Sequence, residues 1–210
     1  HYLQLRLPSL RELARRAEVD PPDLLLFDCG GIDLYRAFGE RARRVIYRVS
    51  DFVSEFPRQI PERTRLEREI LARADILLLT YESMRDEVVS LRGHDRGVYV
   101  LANGGDFELF QRPAPVPASY RDLPRPLAVY VGTMADWFDW ELFLGTAQLL
   151  PEVSFCLLGR GHIADALPAN VHYVGSCPHD EVPGYLQHAD VGLIPLRDLA
   201  HTRRIDRPLK

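Results

Sequence analysis

Short apolar blocks alternate along this chain with segments whose apolar residues recur at helical spacing. A continuous apolar block is typical of a strand that is buried on both faces of a sheet. Strands of this kind, alternating with helices, predict an α/β fold with parallel sheets covered by helices. The blocks occupy residues 23–28, 45–49, 76–80, 98–101, 127–131, 153–158, 171–174 and 191–194.

The predicted helices lie between these blocks. Pro61 suits the first turn of a helix, because its missing N–H would have no partner there. The residues after it carry one apolar stripe, with Arg and Glu on the other side. Residues 82–91 predict a shorter helix that ends at Gly93, and residues 140–150 and 180–189 predict two more in the second half.

Proline divides the chain into two parts. Three prolines fall within five residues near the middle of the chain, and two more follow before residue 127. Such a segment forms neither a helix nor a central strand, so it is interpreted as a linker. The prediction is an N-terminal Rossmann-like domain over residues 1–112, a linker over 113–126 and a second domain over 127–210, with both sheets incomplete.

Charge limits the classes of partner. The chain has 26 Lys and Arg against 30 Asp and Glu, a formal net charge of −4. The two signs are interspersed, which leaves room for a local basic pocket. The balance argues against nucleic acid as the main partner, because that binding depends on clustered basic charge.

Cysteine usage and the start of the chain suggest a reducing compartment and an internal segment of a longer protein. Cys29, Cys156 and Cys177 are odd in number and far apart, so no disulfide framework is expected. No apolar run approaches the roughly 20 residues that cross a bilayer. The chain has neither an initiator Met nor a signal peptide, and we expect it to begin inside a longer protein.

The loops that follow the predicted strands are candidate sites, since ligands of an open parallel sheet bind outside the carboxyl ends of its strands. In one such loop Gly132 lets the backbone approach a ligand closely, and the N–H groups of the next helical turn could face an anion. A plain tight turn is the alternative. Arg160 stands between two glycines at another strand end. Its guanidinium could bind a phosphate or a carboxylate there, or it could simply be solvated.

A carboxylate follows the second apolar block. Asp51 lies just past the predicted strand 45–49, and both its position and its type suit a general base that faces a cleft. The alternative is an Asp that caps the next segment. Asp28, after the preceding strand, has the same two interpretations.

Other site chemistries find little support in the sequence. The histidines lack the spacing of a zinc site, and Cys177 with His179 is too isolated to hold a metal, so no metal site is predicted. The absence of a P-loop and of a G-x-G-x-x-G fingerprint argues against P-loop hydrolysis and standard dinucleotide binding. Nucleophile elbows built on Ser or Cys are absent as well.

Several segments, in a shared order over about residues 23–210, resemble glycosyltransferases of the GT-B fold, group 1 type. The similar segments are residues 73–80 ("RADLVLVTS" in the family), 98–110 ("V-x-V-x-P-N-G-V-D-x-x-x-F"), 128–139 ("GYVGxxxxWFD"), 168–175 ("LPNVxFLG"), 181–195 ("ELPxYLxxxDVGLIP") and 207–210 ("N-P-L-K"). The resemblance implies two Rossmann-like parallel-sheet domains that face each other across a cleft. It further implies transfer of a sugar from a UDP- or GDP-linked donor to a glycan or lipid-linked acceptor, with retention or inversion at the anomeric carbon.

The resemblance also assigns donor contacts to the second domain, with no metal and no other cofactor. It implies that Gly132, Thr133 and Met134 lie along the donor diphosphate and base, and that Lys210 contacts the diphosphate. Arg160 is a further donor-side candidate. Helix N-termini and basic side chains would neutralise the leaving diphosphate.

Xanthan-type glucuronosyltransferases are similar in one more feature. Their "Y-x-x-x-D" segment after a first-domain strand resembles residues 47–51 and makes Asp51 the expected catalytic base. Three positions depart from the family pattern: Ala102 replaces the Pro of "P-N-G", Gly105 replaces an aliphatic residue, and Phe52 stands where relatives often carry a second acid.

The resemblance implies a cytoplasmic protein, with peripheral contact at the inner face of the membrane and no nucleic-acid partner. The chain ends at Lys210, before the family's "E-Y-x-A-x-G" segment whose carboxylate would hold the donor, so we expect this piece alone to be inactive. Two alternatives stay open: a sugar-nucleotide epimerase of the same architecture, and a non-catalytic module that keeps the sheets.

Overall fold

The structure of the protein, a computed structural model, describes residues 9–56 and 60–205. These residues form two compact units, one containing residues up to 103 together with 203–205 and the other containing residues 104–202. Each unit is built on a four-stranded parallel sheet with helices between its strands. The α/β fold predicted from the alternation of apolar blocks and helical segments is confirmed.

The first unit is a singly wound sheet with its helices on one face. Its strands are β1 (Leu24–Asp28), β2 (Arg44–Val49), β3 (Ile76–Leu79) and β4 (Val98–Val100), and its helices are α1 (Leu10–Arg16), α2 (Ile32–Phe38), α3 (Pro61–Arg73) and α4 (Arg85–Arg92). The strand order is β1-β2-β3-β4, all parallel. Successive right-handed crossovers in one direction place their helices on the same face. On the opposite face the described residues leave β1 uncovered, and Leu24 and Leu26 there are 52% and 57% exposed.

Alternate side chains of these strands form the core of the first unit. Tyr47, Leu77 and Leu79 are fully buried and pack with Ile70 of α3, as expected where one face of a sheet meets helices. The predicted helix end at Gly93 is confirmed, because this residue has a φ of 76° and caps α4 in the left-handed conformation.

The second unit has a sheet whose strand order reverses. Its strands are β5 (Leu127–Val131), β6 (Ser154–Leu158), β7 (Val171–Gly175) and β8 (Val191–Gly192), and its helices are α5 (Phe107–Gln111), α6 (Trp140–Leu149) and α7 (Val182–Gln187). The order is β7-β6-β5-β8, all parallel. The chain winds outward in one direction from β5 to β7 and then returns to the other side of β5, which creates a topological switch point between β5 and β8.

The proline-rich segment packs within the second unit. The side chain of Gln187 in α7 accepts a hydrogen bond from the backbone N–H of Ala114 at 3.0 Å. Tyr120 is buried edge-on against Tyr185, with 5.3 Å between ring centroids. These contacts hold residues 113–126 against α7, so the boundary between the two compact units precedes this segment.

Candidate functional site

Three adjacent strands of the second unit end in glycines with left-handed backbone angles. Gly132 follows β5, Gly159 follows β6 and Gly175 ends β7, with φ of 152°, 144° and 84°. Gly161, two residues beyond Gly159, has a φ of 138°. We call these four residues the glycine edge. Because parallel strands share one direction, the glycine edge lies at the carboxyl side of the sheet, where α/β proteins bind ligands.

The loops after β5 and β6 approach each other too closely for side chains. A Cβ atom on Gly159 would lie 1.9 Å from the carbonyl oxygen of Gly132, and one on Gly161 would lie 2.1 Å from that of Met134. The backbone N–H of Met134 donates to the carbonyl of Arg160 at 2.8 Å. The pairing of the two strands therefore continues into their loops and fixes them as one backbone surface.

The loop after β5 is also hydrogen-bonded to the loop after β8, which lies on the opposite side of β5 from β6. The N–H of Asp139 donates to the carbonyl of Pro195 at 2.9 Å, and the N–H of Arg197 donates to that of Trp137 at 2.8 Å. The loops that follow β5 and β8 are thus held together by two backbone hydrogen bonds. This is the place where the reversal of strand order opens a crevice in doubly wound sheets.

Thr133 and Met134, two of the predicted donor-binding residues, differ in their exposure to solvent. Thr133 is exposed, and its carbonyl accepts a hydrogen bond from the Tyr130 hydroxyl at 2.8 Å. The side chain of Met134 is fully buried among Tyr130 and Phe138. Its backbone N–H and carbonyl both pair with the neighbouring loop, the carbonyl with the N–H of His162 at 3.0 Å. Met134 therefore stabilises this loop through its buried side chain and paired backbone, and its side chain is not at the surface.

Arg160 offers the cationic group of this edge. It lies between Gly159 and Gly161 and is exposed, and its guanidinium has no hydrogen-bond or ion-pair partner within the described part of the chain. A guanidinium in this position can turn toward an anion above the glycine edge. Lys210, the other predicted cation, lies outside the described residues.

The helix that follows β5 does not provide the anion site suggested by the sequence. Helix α6 begins only at Trp140, after a loop that separates it from Gly132. The carboxylate of Asp139 caps it by accepting a hydrogen bond from the N–H of Leu142 at 2.9 Å. The protein's own acidic side chain thus occupies the first turn of α6.

Asp51 lies in the first unit, in the turn after β2, and is half-buried. The short 3₁₀ turn Val53–Glu55 that follows has Phe52 at its capping position, without a side-chain cap. Burial, then the charges of Asp28 and Asp51, raise the pKa of the Cys29 thiol, which places Asp51 near the loop after β1. The role of Asp51 as general base stays a prediction.

Asp28 is a capping residue, the second of the two interpretations suggested by the sequence. Its carboxylate accepts hydrogen bonds from the N–H groups of Gly30 at 2.9 Å and Gly31 at 3.2 Å. It caps the 3₁₀ turn after β1, as a short acidic side chain commonly does.

The sequence analysis missed a buried carboxylate beneath the Asp51 turn. Glu67 of α3 is only 2% exposed. It accepts hydrogen bonds from the Tyr47 hydroxyl at 2.7 Å and from the N–H of Val53 at 2.8 Å. Its burial raises its pKa to about 7. The available signal was its spacing, because Glu67 is three and four residues before Ile70 and Leu71 on the buried stripe of α3.

This raised pKa predicts how stability changes with pH. A carboxyl whose pKa is higher in the folded state favours folding while it is protonated, and that contribution is lost as pH rises through the folded-state value. We expect the free energy of unfolding of the first unit to fall by about 2 kcal/mol more in the wild type than in Glu67→Gln between about pH 5 and 8. Urea titrations followed by hydrogen exchange of the β2 and β3 amides measure this difference.

An exposed acid on the same helix provides the control. Glu69 pairs with Arg73 at 2.9 Å and is 43% exposed, so Glu69→Gln should keep the pH dependence of the wild type. Equal pH slopes for the wild type and Glu67→Gln would contradict the raised pKa.

The described residues provide neither a metal-binding cluster nor a helix that could span a membrane. Residues 9–56 and 60–205 contain no group of three or more His, Cys, Asp or Glu side chains placed to hold a metal ion. Within the same ranges, no helix combines the length and the apolar composition that crossing a bilayer requires.

The chain is similar to curated glycosyltransferases over most of its length. It is 31% identical over 183 residues to a UDP-glucuronate:glycolipid 2-beta-glucuronosyltransferase of Xanthomonas campestris pv. campestris, covering 82% of this chain and 42% of that protein. It is 25% identical over 199 residues to a protein of Bacillus subtilis named as the teichuronic acid biosynthesis glycosyltransferase TuaH, covering 90% of this chain and 47% of that protein. The chain thus spans less than half the length of these two relatives. They are transferases, so the epimerase left open by the sequence is not favoured. No protein-family model matches the chain.

Solved structures of low sequence identity share the fold. Anabaena Alr3699/HepE in complex with UDP and glucose matches with a TM-score of 0.67 and 15% identity, over 90% of this chain and 58% of that one. Sucrose-phosphate synthase from Thermosynechococcus elongatus matches with a TM-score of 0.63 and 19% identity, over 88% of this chain and 52% of that one. The sequence relatives of this chain and the two parallel sheets of its structure together place it in the family of GT-B glycosyltransferases.

Proposed function

We propose that the protein transfers a glycosyl group from a UDP-sugar to a hydroxyl of a glycan or lipid-linked acceptor, without a metal ion. The observation that carries this proposal is the glycine edge at the switch point of the second sheet. With no Cβ atoms there, a diphosphate can approach the backbone directly. UDP is favoured over GDP as the donor nucleotide because the Xanthomonas relative is named for a UDP-sugar and HepE was solved with UDP-glucose and with UDP.

Arg160 is proposed to bind the diphosphate. An exposed guanidinium between two glycines can make charge-assisted hydrogen bonds to phosphate oxygens. Such bonds stabilise the charge that develops on the leaving UDP, which is the role a metal ion plays in other transferases. Lys210 is proposed as a second cation at the diphosphate.

Asp51 is proposed as the general base. It takes the proton of the acceptor hydroxyl while the acceptor oxygen forms a bond to C1 of the sugar. The bond from C1 to the UDP oxygen breaks at the same time, and UDP leaves with the electron pair. This single displacement inverts the configuration at C1.

The proposed acceptor also suggests where the protein acts. The Xanthomonas relative is named for a glycolipid acceptor. A lipid-linked acceptor would bring the protein to the cytoplasmic face of a membrane as a peripheral protein.

Product analysis of the full-length protein with UDP-sugars tests the proposed activity, since the piece alone is expected to be inactive. We expect release of UDP together with a new glycosidic bond on a glycolipid acceptor, and nuclear magnetic resonance of the product should give the inverted anomer. An isomerised donor without UDP release would contradict transfer. UDP binding without turnover would instead identify a binding module.

Removing the arginine tests the donor site separately. Arg160→Ala should weaken UDP binding about 10- to 100-fold, because a charge-assisted contact contributes about 1.5–3 kcal/mol. Titration calorimetry with UDP measures this loss. Arg121 is exposed in the same unit but precedes β5, so Arg121→Ala is the control that should bind UDP as the wild type does. Unchanged affinity in Arg160→Ala would reject the assignment.

A further inference from the structure

We propose that Glu67 is a positioning residue that holds the Asp51 turn in place, an inference that rests on the proposed role of Asp51 as general base. Glu67 does not reach the surface of the sheet edge, since it is buried on α3 beneath the turn. Its effect on the reaction would therefore pass through the backbone that carries Asp51.

The carboxylate of Glu67 bonds to the chain on both sides of Asp51. One oxygen accepts from the hydroxyl of Tyr47, which precedes Asp51 in β2, at 2.7 Å. The other accepts from the N–H of Val53 at 2.8 Å, and the N–H of Ser54 bonds to the same carboxylate. The end of the strand and the start of the 3₁₀ turn are thus tied to one buried group, which limits how far Asp51 can move.

Arg204, a partly exposed side chain, is a second anchor and contacts the C-terminal end of the 3₁₀ turn. Arg204 donates to the carboxylate of Glu55 at 2.5 Å and to that of Glu87 at 2.6 Å, and its guanidinium lies 4.9 Å from the centre of the Phe52 ring. Arg204 is 23% exposed, so water can partly replace these contacts. Glu67 is buried, so water does not replace its contacts, and its loss leaves buried N–H and hydroxyl donors unpaired.

The side chain at position 67 can be varied in graded steps. Glu67→Ala removes both acceptors. Glu67→Asp keeps the charge, but it is one methylene shorter and cannot reach Tyr47 and Val53 together. Glu67→Gln keeps one acceptor oxygen for the N–H groups and an NH₂ donor for the Tyr47 oxygen, so it should recover most of what Ala loses.

Kinetics and hydrogen exchange together test the proposal. In the full-length protein we expect Glu67→Ala to lower kcat about 10- to 100-fold with UDP affinity unchanged, and to speed amide exchange at Val53 and Ser54. If Glu67→Ala does not fold, Glu67→Asp should show the same pattern with a smaller loss. Glu69→Gln, exposed on the same helix, should leave kcat as in the wild type. Wild-type kcat in Glu67→Asp or Glu67→Ala would overturn the proposal.

A double mutant separates this inference from the proposed function. If Glu67 acts through Asp51, adding Glu67→Ala to Asp51→Asn should lower kcat by no more than about twofold further. If Glu67→Ala lowers kcat in the Asp51→Asn variant by the same factor as in the wild type, Glu67 does not act through Asp51 and the inference fails. Full turnover in Asp51→Asn alone would reject the base itself, which is a different result.

Discussion

In the full-length protein, Asp51→Asn is expected to lower kcat for glycosyl transfer by about 10²–10⁴-fold, the usual contribution of a general base. The amide has nearly the shape of the carboxylate, but it cannot take a proton from the acceptor hydroxyl. Asp51 lies in the first unit, whereas the proposed UDP contacts lie in the second. Calorimetry should therefore give the wild-type affinity for UDP, and a coupled assay of UDP release should measure the loss of turnover.

Another aspartate of the same sheet serves as the control for this substitution. Asp23 is exposed and precedes β1, so it lies toward the amino ends of the strands. Asp23→Asn should turn over as the wild type does. Wild-type kcat in Asp51→Asn would exclude Asp51 as the base, and the donor-site predictions would be unaffected.

Gly159→Ala is expected to destabilise the second unit by about 3 kcal/mol or more, through backbone strain and steric overlap together. Its φ of 144° disfavours any side chain, and the new Cβ would lie 1.9 Å from the carbonyl oxygen of Gly132. The opposing atoms belong to the backbone of Gly132, whose N–H pairs with the carbonyl of Leu158 in β6, so no rotamer change relieves the overlap. Both tryptophans of the protein, Trp137 and Trp140, lie in this unit, and their fluorescence during urea unfolding measures the effect.

A glycine in a helix of the same unit gives a control with the opposite sign. Gly145 lies within α6, and a Cβ there would meet nothing within 4 Å. Gly145→Ala should stabilise the unit by about 0.5–1 kcal/mol, because alanine restricts the unfolded chain and favours helix. A Gly159→Ala protein as stable as the wild type would contradict the close backbone approach.

Local sequence predicted the strands well because each one is a continuous apolar block. Residues 127–131 were predicted as a strand and form β5 over those residues. Helices α1, α2 and α5 were not predicted. Helix α5 has five residues, too few to show an apolar stripe at helical spacing. Strand order was not predicted, since neighbours in a parallel sheet are far apart in sequence and no local pattern encodes them.

The candidate site was predictable only in part, and the difference again depends on long-range contacts. The sequence singled out Gly132 and Arg160 because each follows a predicted strand, where ligands bind in open sheets; their contacts with a donor stay predictions. The burial of Met134 was not predicted, because it results from pairing with the loop of another strand. Glu67 was missed because an acid in a helix is normally solvated, and only its partners Tyr47 and Val53 make its burial possible. The contact proposed for Lys210 stays a prediction.

The glycine edge has an evolutionary consequence. A surface formed by main-chain atoms stays the same when side chains are exchanged, and a side chain at Gly159 or Gly161 would overlap the backbone of the neighbouring loop. Gly132 and Gly175 are constrained by their positive φ, which side chains rarely adopt. If the glycine edge contacts the nucleotide as proposed, differences in sugar preference among related proteins would have to arise in other loops. Engineering of donor selectivity should accordingly leave these four positions fixed and diversify the residues around them.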